Sequence, residues 1–180
     1  MGSPKAALTL GGRTLIEIMI EKAKAVTQDV RIVGPRLQFG ENAVEDVFPG
    51  RGPLAGIHAA LRTSNAELNL MLAVDLPFVD PKFLLFLAQQ AAASRALVTV
   101  PRTTRGWQPL CALYRRDFAA HAERALQLGR NKIDALFSEV EVRIVEEREI
   151  VAAGFNEAMF RNINTREDFE LAQKRFAERS

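Results

Sequence analysis

Five short stretches of this chain carry residue types suited to holding a phosphate chain and a hard cation. Met1-Gly2-Ser3-Pro4-Lys5 reads as the second half of a phosphate-binding loop. Gly2 lets the backbone approach closely, Pro4 stiffens the turn, and Lys5 places one flexible cation where ordered structure resumes. Asp46 closes the short apolar segment Asn42–Asp46, and Gly52-Pro53-Leu54-Ala55-Gly56 opens a helix soon afterwards. The small residues and unbonded amides of that helix start suit a flat base or an anion. Asp75 ends the apolar run Leu70–Val74 and precedes Leu76-Pro77. A single carboxylate is adequate anchorage for magnesium, which keeps several of its waters. A short strand ending in Asn162 and Asn164, on alternate positions, turns both amides to one face, where their oxygens suit a cation or a phosphate.

Each stretch also has a plain structural reading. Asp75-Leu76-Pro77 is a fair strand-end turn, and Asp46 a fair surface aspartate. Gly52–Gly56 is a proline-started helix with Gly56 as a packing contact, and one of the two asparagines serves a helix entrance. His58 and His121, each alone among apolar helical neighbours, read as packing residues. Cys111 reads as a small buried hydrophobe.

The elements that would carry these side chains are legible from periodicity. Leu15, Ile18, Met19, Lys22, Ala23 and Val26 recur at helical spacing from Thr14 to about Thr27. Asp29–Val33 reads as a short strand broken by Gly34-Pro35, and Ala43–Glu45 as another. A helix follows over Leu54–Thr63, and Asn69–Val74 is a central strand with a continuous apolar run. Asp80 as N-cap and Pro81 in the first turn start a helix to about Ala92. Ala96–Val100 and Gln108–Tyr114 read as strands around the polar loop Arg102–Trp107. Asp117–Leu128 is a helix, followed by Gly129–Lys132 and a short helix to Phe137. Glu139–Glu146 alternates as a half-exposed strand with Val140, Val142 and Ile144 on its apolar side. Thr165 and Asp168 form a capping-box-like start to the last helix. Strands alternating with helices predict a mostly parallel sheet covered on both faces. Ligands of such sheets bind beyond the carboxyl ends of the strands, the edge where Lys5, Asp46 and Asp75 should meet.

Composition narrows the class. One domain spanning 1–180 is expected, with 48% hydrophobic and 26% charged residues as in ordinary globular proteins. A net charge of +2 gives no global reason to expect a nucleic-acid partner. No run reaches membrane-spanning length, and no secretory signal opens the chain. The single cysteine excludes an intrachain disulfide and fits a cytoplasmic location.

Taken in order, MGSPK, Asp46, GPLAG, the apolar strand ending in Asp-Leu-Pro, and Asn162-Ile163-Asn164-Thr165 resemble the molybdenum cofactor guanylyltransferases, MobA-type members of the nucleotidyltransferase superfamily. The resemblance covers nearly the whole chain. It implies a Rossmann-like three-layer α/β/α nucleotidyltransferase fold. Met1, Gly2 and Lys5 match the end of the family loop Leu-Ala-Gly-Gly-x-Ser-x-Arg-Met-Gly-x-x-Lys. A strand and the first part of that loop are accordingly expected ahead of Met1. Lys5 and Asp75 take the catalytic roles. Gly2, Lys5, Gly34, Asp46, Gly52, Pro53, Leu54, Gly56 and Asp75 are the implied nucleotide contacts, with Asp75 and Asn164 holding Mg²⁺. Gly34 departs from the family, which often has asparagine there, and leaves only backbone contacts.

The implied reaction joins GMP from GTP to molybdopterin-bound molybdenum and releases pyrophosphate. Arg102, Arg105, Gln108, Pro109, Arg130, Lys132 and Asn162 are candidates for the acceptor side. Arginine suits bidentate phosphate contact, and the Trp107 indole could stack on a pterin. Solvated surface charge is the alternative for both basic loops. Molybdoenzymes or cofactor-delivery proteins are possible recipients of the product. Two rival functions stay open. One is a related transferase using CTP with molybdopterin, or a nucleotide with a sugar or alcohol phosphate. The other is a nucleotide-binding module without catalysis.

Overall fold

The computed structural model describes residues 7–177. Thr9–Leu10 (β1) and Arg13–Thr14 (β2) form a small hairpin over the Gly11-Gly12 turn, and Leu15–Lys24 (α1) follows directly. Thr14 and Glu17 cap that helix reciprocally: the Glu17 amide donates to Thr14 Oγ1, and Glu17 Oε2 accepts from the Thr14 amide at 2.8 Å. The chain continues through a single helical turn, Arg36–Phe39 (α2), to Pro53–Thr63 (α3), Leu68–Leu72 (β3) and Pro81–Ala92 (α4). Then come Val98–Thr103 (β4), Gly106–Trp107 (β5), Cys111–Arg115 (β6) and Phe118–Gln127 (α5). Val142–Glu146 (β7), Glu147–Ala152 (α6) and Arg166–Ala177 (α7) complete the order, with 3₁₀ turns at Asp134–Ser138 and Glu157–Phe160.

The central sheet is mixed. β6 lies between β3 and β4 and pairs antiparallel with both, while β7 pairs parallel with β4. β3, β4 and β7 therefore point the same way, and their carboxyl ends share one edge. Alternation along β6 divides the core into two faces. Cys111 and Leu113 join the cluster with Leu15, Met19, Phe83 and Leu87 from α1 and α4. Ala112 and Tyr114 join Leu54, Ile57, Phe118 and Leu126 from α3 and α5. Three layers result, as the family resemblance implied. Cys111 is fully buried, and desolvation pushes its thiol up to about 12. Tyr114 is buried too, and its hydroxyl donates to the Pro109 carbonyl at 2.8 Å.

Several sequence expectations change. Asp29–Val33 and Ala43–Glu45 are not strands; one isolated parallel bridge, Val33 to Val44, joins them. A strand needs a ladder on at least one flank, and the described residues supply none beyond this bridge. Gln108–Leu110 forms a turn, so β6 begins at Cys111. In β7 the fully buried residue is Val145, while Val142 and Ile144 are half-buried, because the strand pairs with β4 and packs against α4 and α6. His58 is buried as expected. His121 is instead exposed, stacked beside Phe118 at 6.5 Å. Helix α6 escaped the sequence reading altogether.

Candidate functional site

The carboxyl ends of β3 and β4 position the chemistry. Beyond β3 the chain turns at Val74-Asp75, leaving Asp75 half-buried. The Ile163 amide donates to the Asp75 carbonyl at 3.0 Å, fastening Asn162–Asn164 beside that turn. The expected short strand is absent, since 161–164 follows the Glu157–Phe160 turn without regular structure, yet Ile163 is buried in the core while Asn162 and Asn164 are exposed. The segment is fixed from its other side by Asp168. Its Oδ2 accepts from the amides of Asn164 at 3.1 Å and Thr165 at 2.9 Å. Those bonds, with that from the Thr165 hydroxyl, hold the Asp168 carboxyl below its ordinary value.

A second cluster lines the mouth of a large cavity. Gly34, Asp46, Gly52, Pro53 and Gly56 stand on one wall, and Ala73, Val74 and Leu110 on the other. Asp46 is exposed as a residue, yet its carboxylate is turned against α3. A β-carbon built on Gly56 would lie 3.7 Å from Asp46 Oδ1. That partial desolvation raises the Asp46 pKa above the usual carboxylate value, and the nearby His58 imidazole opposes the shift. His58 itself is buried against Phe48, and burial lowers its pKa.

Glycine is favoured at two of these positions. Gly52, the residue before α3, has φ 71° and ψ −162°, a region that side chains of L-residues disfavour. Gly52→Ala is expected to cost about 1–3 kcal/mol, read by urea unfolding; a change within 0.5 kcal/mol would show that the loop relaxes without it. At Gly34 a β-carbon would fall 2.8 Å from the Phe39 ring, which accounts for the absence of a side chain there. Leu54 faces away from the cavity: it is fully buried between α3, α5 and the sheet, leaving only its backbone toward the loop.

The acceptor-side candidates are more strongly engaged than charge alone suggested. Arg102 forms a bidentate pair with Glu146, and its guanidinium sits 5.0 Å above the Trp107 ring. Trp107 also meets Phe137 edge-on at 5.1 Å. Arg105 is exposed on the turn, and its amide donates to Thr103 Oγ1 at 3.2 Å. Gln108 and Pro109 are half-buried, with the Gln108 amide donating to the Pro101 carbonyl at 2.9 Å. Arg130 pairs with Glu139, which holds that carboxyl below its ordinary value, and Lys132 is exposed. Their loop approaches the glycine-rich turn through Arg51, whose Nη1 would lie 3.9 Å from a β-carbon on Gly129.

Two tethers went unnoticed in the sequence. The Thr104 amide donates to Glu147 Oε2 at 2.7 Å, and its hydroxyl to Glu157 Oε2 at 3.2 Å. They fix the β4–β5 turn against α6 and the turn that leads to Asn162. Neither is marked by spacing, since 43 and 53 residues separate the partners. Gly2 and Lys5 lie outside the described residues.

Oxygen donors dominate the edge. Among the described residues no three His, Cys, Asp or Glu side chains gather as a metal cluster. Carboxylate and carboxamide oxygens, which Asp75 and Asn164 carry, suit magnesium rather than a thiolate- or imidazole-seeking metal.

Comparison with known proteins agrees with this architecture. Residues 1–144 match the MobA-like NTP transferase domain. The molybdenum cofactor guanylyltransferase of Desulfosudis oleivorans is 35% identical over 176 residues, covering 96% of this chain and 87% of that protein. A probable molybdenum cofactor guanylyltransferase of Bacillus subtilis is 32% identical over 184 residues, covering 97% and 88%. Among solved structures, molybdopterin-guanine dinucleotide biosynthesis protein A of Archaeoglobus fulgidus superposes with a TM-score of 0.86 at 27% identity, covering 98% of this chain and 92% of that one. The 2-C-methyl-D-erythritol 4-phosphate cytidylyltransferase of Thermus thermophilus shares the fold, with a TM-score of 0.68 at 20% identity over 98% of this chain and 95% of its own. With its mixed sheet, its carboxylate beyond β3 and its glycine-rich start to α3, the chain belongs to the MobA-like NTP transferase family and is a nucleotidyltransferase.

Proposed function

We propose that this enzyme transfers GMP from GTP to molybdopterin-bound molybdenum and releases pyrophosphate, with Mg²⁺. The observation that carries the reading is the bond from the Ile163 amide to the Asp75 carbonyl. It ties the backbone that carries Asn162 and Asn164 to the turn that carries Asp75, at the strand edge where nucleotides of such folds bind. The names of the curated relatives support guanylyl transfer and a molybdopterin acceptor.

Asp75 and Asn164 would hold Mg²⁺, which would supply charge neutralisation for the triphosphate. The chain's own residues do the positioning. The loop from Gly52 to Gly56 brings small residues and helix amides to the base, and Asp46 accepts hydrogen bonds on the same wall. Arg105, Lys132 and the exposed Asn162 face the acceptor phosphate. One of its oxygens attacks the α-phosphorus of GTP, a new P–O–P bridge forms, and the bond to the β-phosphate breaks. Lys5 provides a cation for the departing pyrophosphate. Cys111, a buried thiol, suits a cytoplasmic enzyme.

Pyrophosphate release measured with each NTP and molybdopterin tests the reaction. Mg²⁺-dependent release with GTP is expected. Release with CTP in its place would move the enzyme to a cytidylyl reaction. Asp46→Ala should raise the KM for GTP about tenfold while kcat changes little, the pattern of lost uniform binding. An unchanged KM would remove Asp46 from the nucleotide.

A further inference from the structure

Among the described residues, the His58 imidazole holds the only buried side-chain nitrogens or oxygens that lack a hydrogen-bond partner. The residue is 2% exposed, and neither Nδ1 nor Nε2 is bonded. At least one of the two carries a proton, and an N–H left unbonded in an interior is costly. Tyr114, buried as deeply, gives its hydroxyl to the Pro109 carbonyl. The Phe48 ring meets the imidazole edge-on at 5.3 Å. A phenylalanine at 58 would fill the same space and leave no polar atom unsatisfied. Packing alone does not account for a histidine there.

The surroundings of the ring are acidic on two sides. Glu123 of α5 places Oε2 3.8 Å from Nε2, just outside bonding reach. Asp46 approaches from the nucleotide wall, its carboxylate lying against α3 at Gly56, two residues from His58. Both carboxylates favour a charged ring, and Arg62, one turn further along α3, opposes it. Burial outweighs the pair and holds the imidazole pKa below its ordinary value. Nucleotide seated against Asp46 would tip that balance. It excludes water, and the lower local dielectric strengthens the attraction between Asp46 and a cationic ring. The negative charge of the triphosphate acts in the same direction.

We propose that His58 is a positioning residue of the nucleotide site: it takes a proton from solvent as nucleotide seats against Asp46, and the imidazolium bonds Glu123 and draws the Asp46–Phe48 loop onto the seam between α3 and α5. As a cation the ring offers an N–H at both nitrogens, which suits two flanking carboxylates as the neutral ring does not. Phe48 follows Asp46 by two residues, so its edge contact with the ring ties the same loop to α3. The inference rests on Asp46 as a nucleotide contact and adds a proton to the binding step of the proposed reaction. Because binding raises the pKa of the ring, nucleotide should bind more tightly as pH falls through the window between the free and bound values. Below both values the gain levels off.

Calorimetry of GTP binding with Mg²⁺, run in buffers of different ionisation enthalpy, counts the protons taken up. The parent should show uptake between pH 8 and pH 6 and an affinity about fivefold higher at pH 6. His58→Gln should abolish the uptake and leave only the shallow profile of the nucleotide's own titration, and Glu123→Gln should reduce it. Nitrogen NMR of ring-labelled histidine needs no variant at 58: with His121→Gln to assign the resonances, both His58 nitrogens should move toward the imidazolium position when GTP is added. Binding without that movement overturns the proposal, as does an uptake that His58→Gln retains, and both results leave the guanylyl reaction standing. Uptake at His58 without pyrophosphate release in the presence of molybdopterin would uphold the proposal and remove the reaction. If no NTP binds, the reading of Asp46 and the role of His58 fall together.

Discussion

Asp75→Asn is expected to lower kcat by on the order of 10³ or more, with loss of magnesium dependence and little change in thermal stability. The carboxamide keeps the size and one oxygen of the carboxylate but removes the charge proposed to anchor the cation. Phosphoryl-type transfer relies on positioning and charge neutralisation, so several kcal/mol of transition-state stabilisation disappear with it. The Asp75 carbonyl belongs to the backbone, so the bond from Ile163 and the placement of Asn162 and Asn164 survive the substitution. That separation makes the experiment clean. Single-turnover rates across a magnesium titration give the readout, and a variant within threefold of the parent would remove Asp75 from the cation site.

Phe83→Ala should produce the largest loss of stability, about 3–5 kcal/mol. Phe83 is fully buried on α4 and is met edge-on by Phe155 at 5.3 Å and Phe160 at 5.4 Å, with Phe86 at 6.0 Å. Truncation removes the burial of one ring and the edge contacts of its neighbours, and leaves a void in their place. For a chain of this size the thermal midpoint should fall by roughly 10 °C. The phenylalanines of 155 and 160 flank the turn that leads to Asn162, so the effect should extend to the site. A loss under 1 kcal/mol by urea unfolding would mean that the cluster collapses onto the vacancy.

How much of this was readable beforehand depends on whether a signal is local. Asp80 and Pro81 announce α4 because N-cap chemistry lies within three residues, and the structure realises it with the Lys82 amide donating to Asp80 Oδ1 at 2.8 Å. Asn162 and Asn164 were legible for the same reason, alternation being a property of neighbours. Thr104 was not, since its partners Glu147 and Glu157 are distant in sequence and common surface residues. The pairing of Arg102 with Glu146 was likewise not legible, since the partner lies 44 residues away on the neighbouring strand. Asp29–Val33 has the composition of a strand, and the structure shows that composition does not provide a partner.

The direction of β6 decides which parts of the chain can vary at the acceptor side. In a sheet whose members all ran alike, each would send one outgoing loop to this rim. β6 instead contributes its entrance, so residues 104–110 span the rim between two paired strands, pinned at Thr104 and clamped at Gln108. Such a bridge tolerates exchanges at its tip far better than changes of length. Differences in acceptor preference between relatives should therefore be written in the side chains at Arg105 and its neighbours, with insertions concentrated elsewhere.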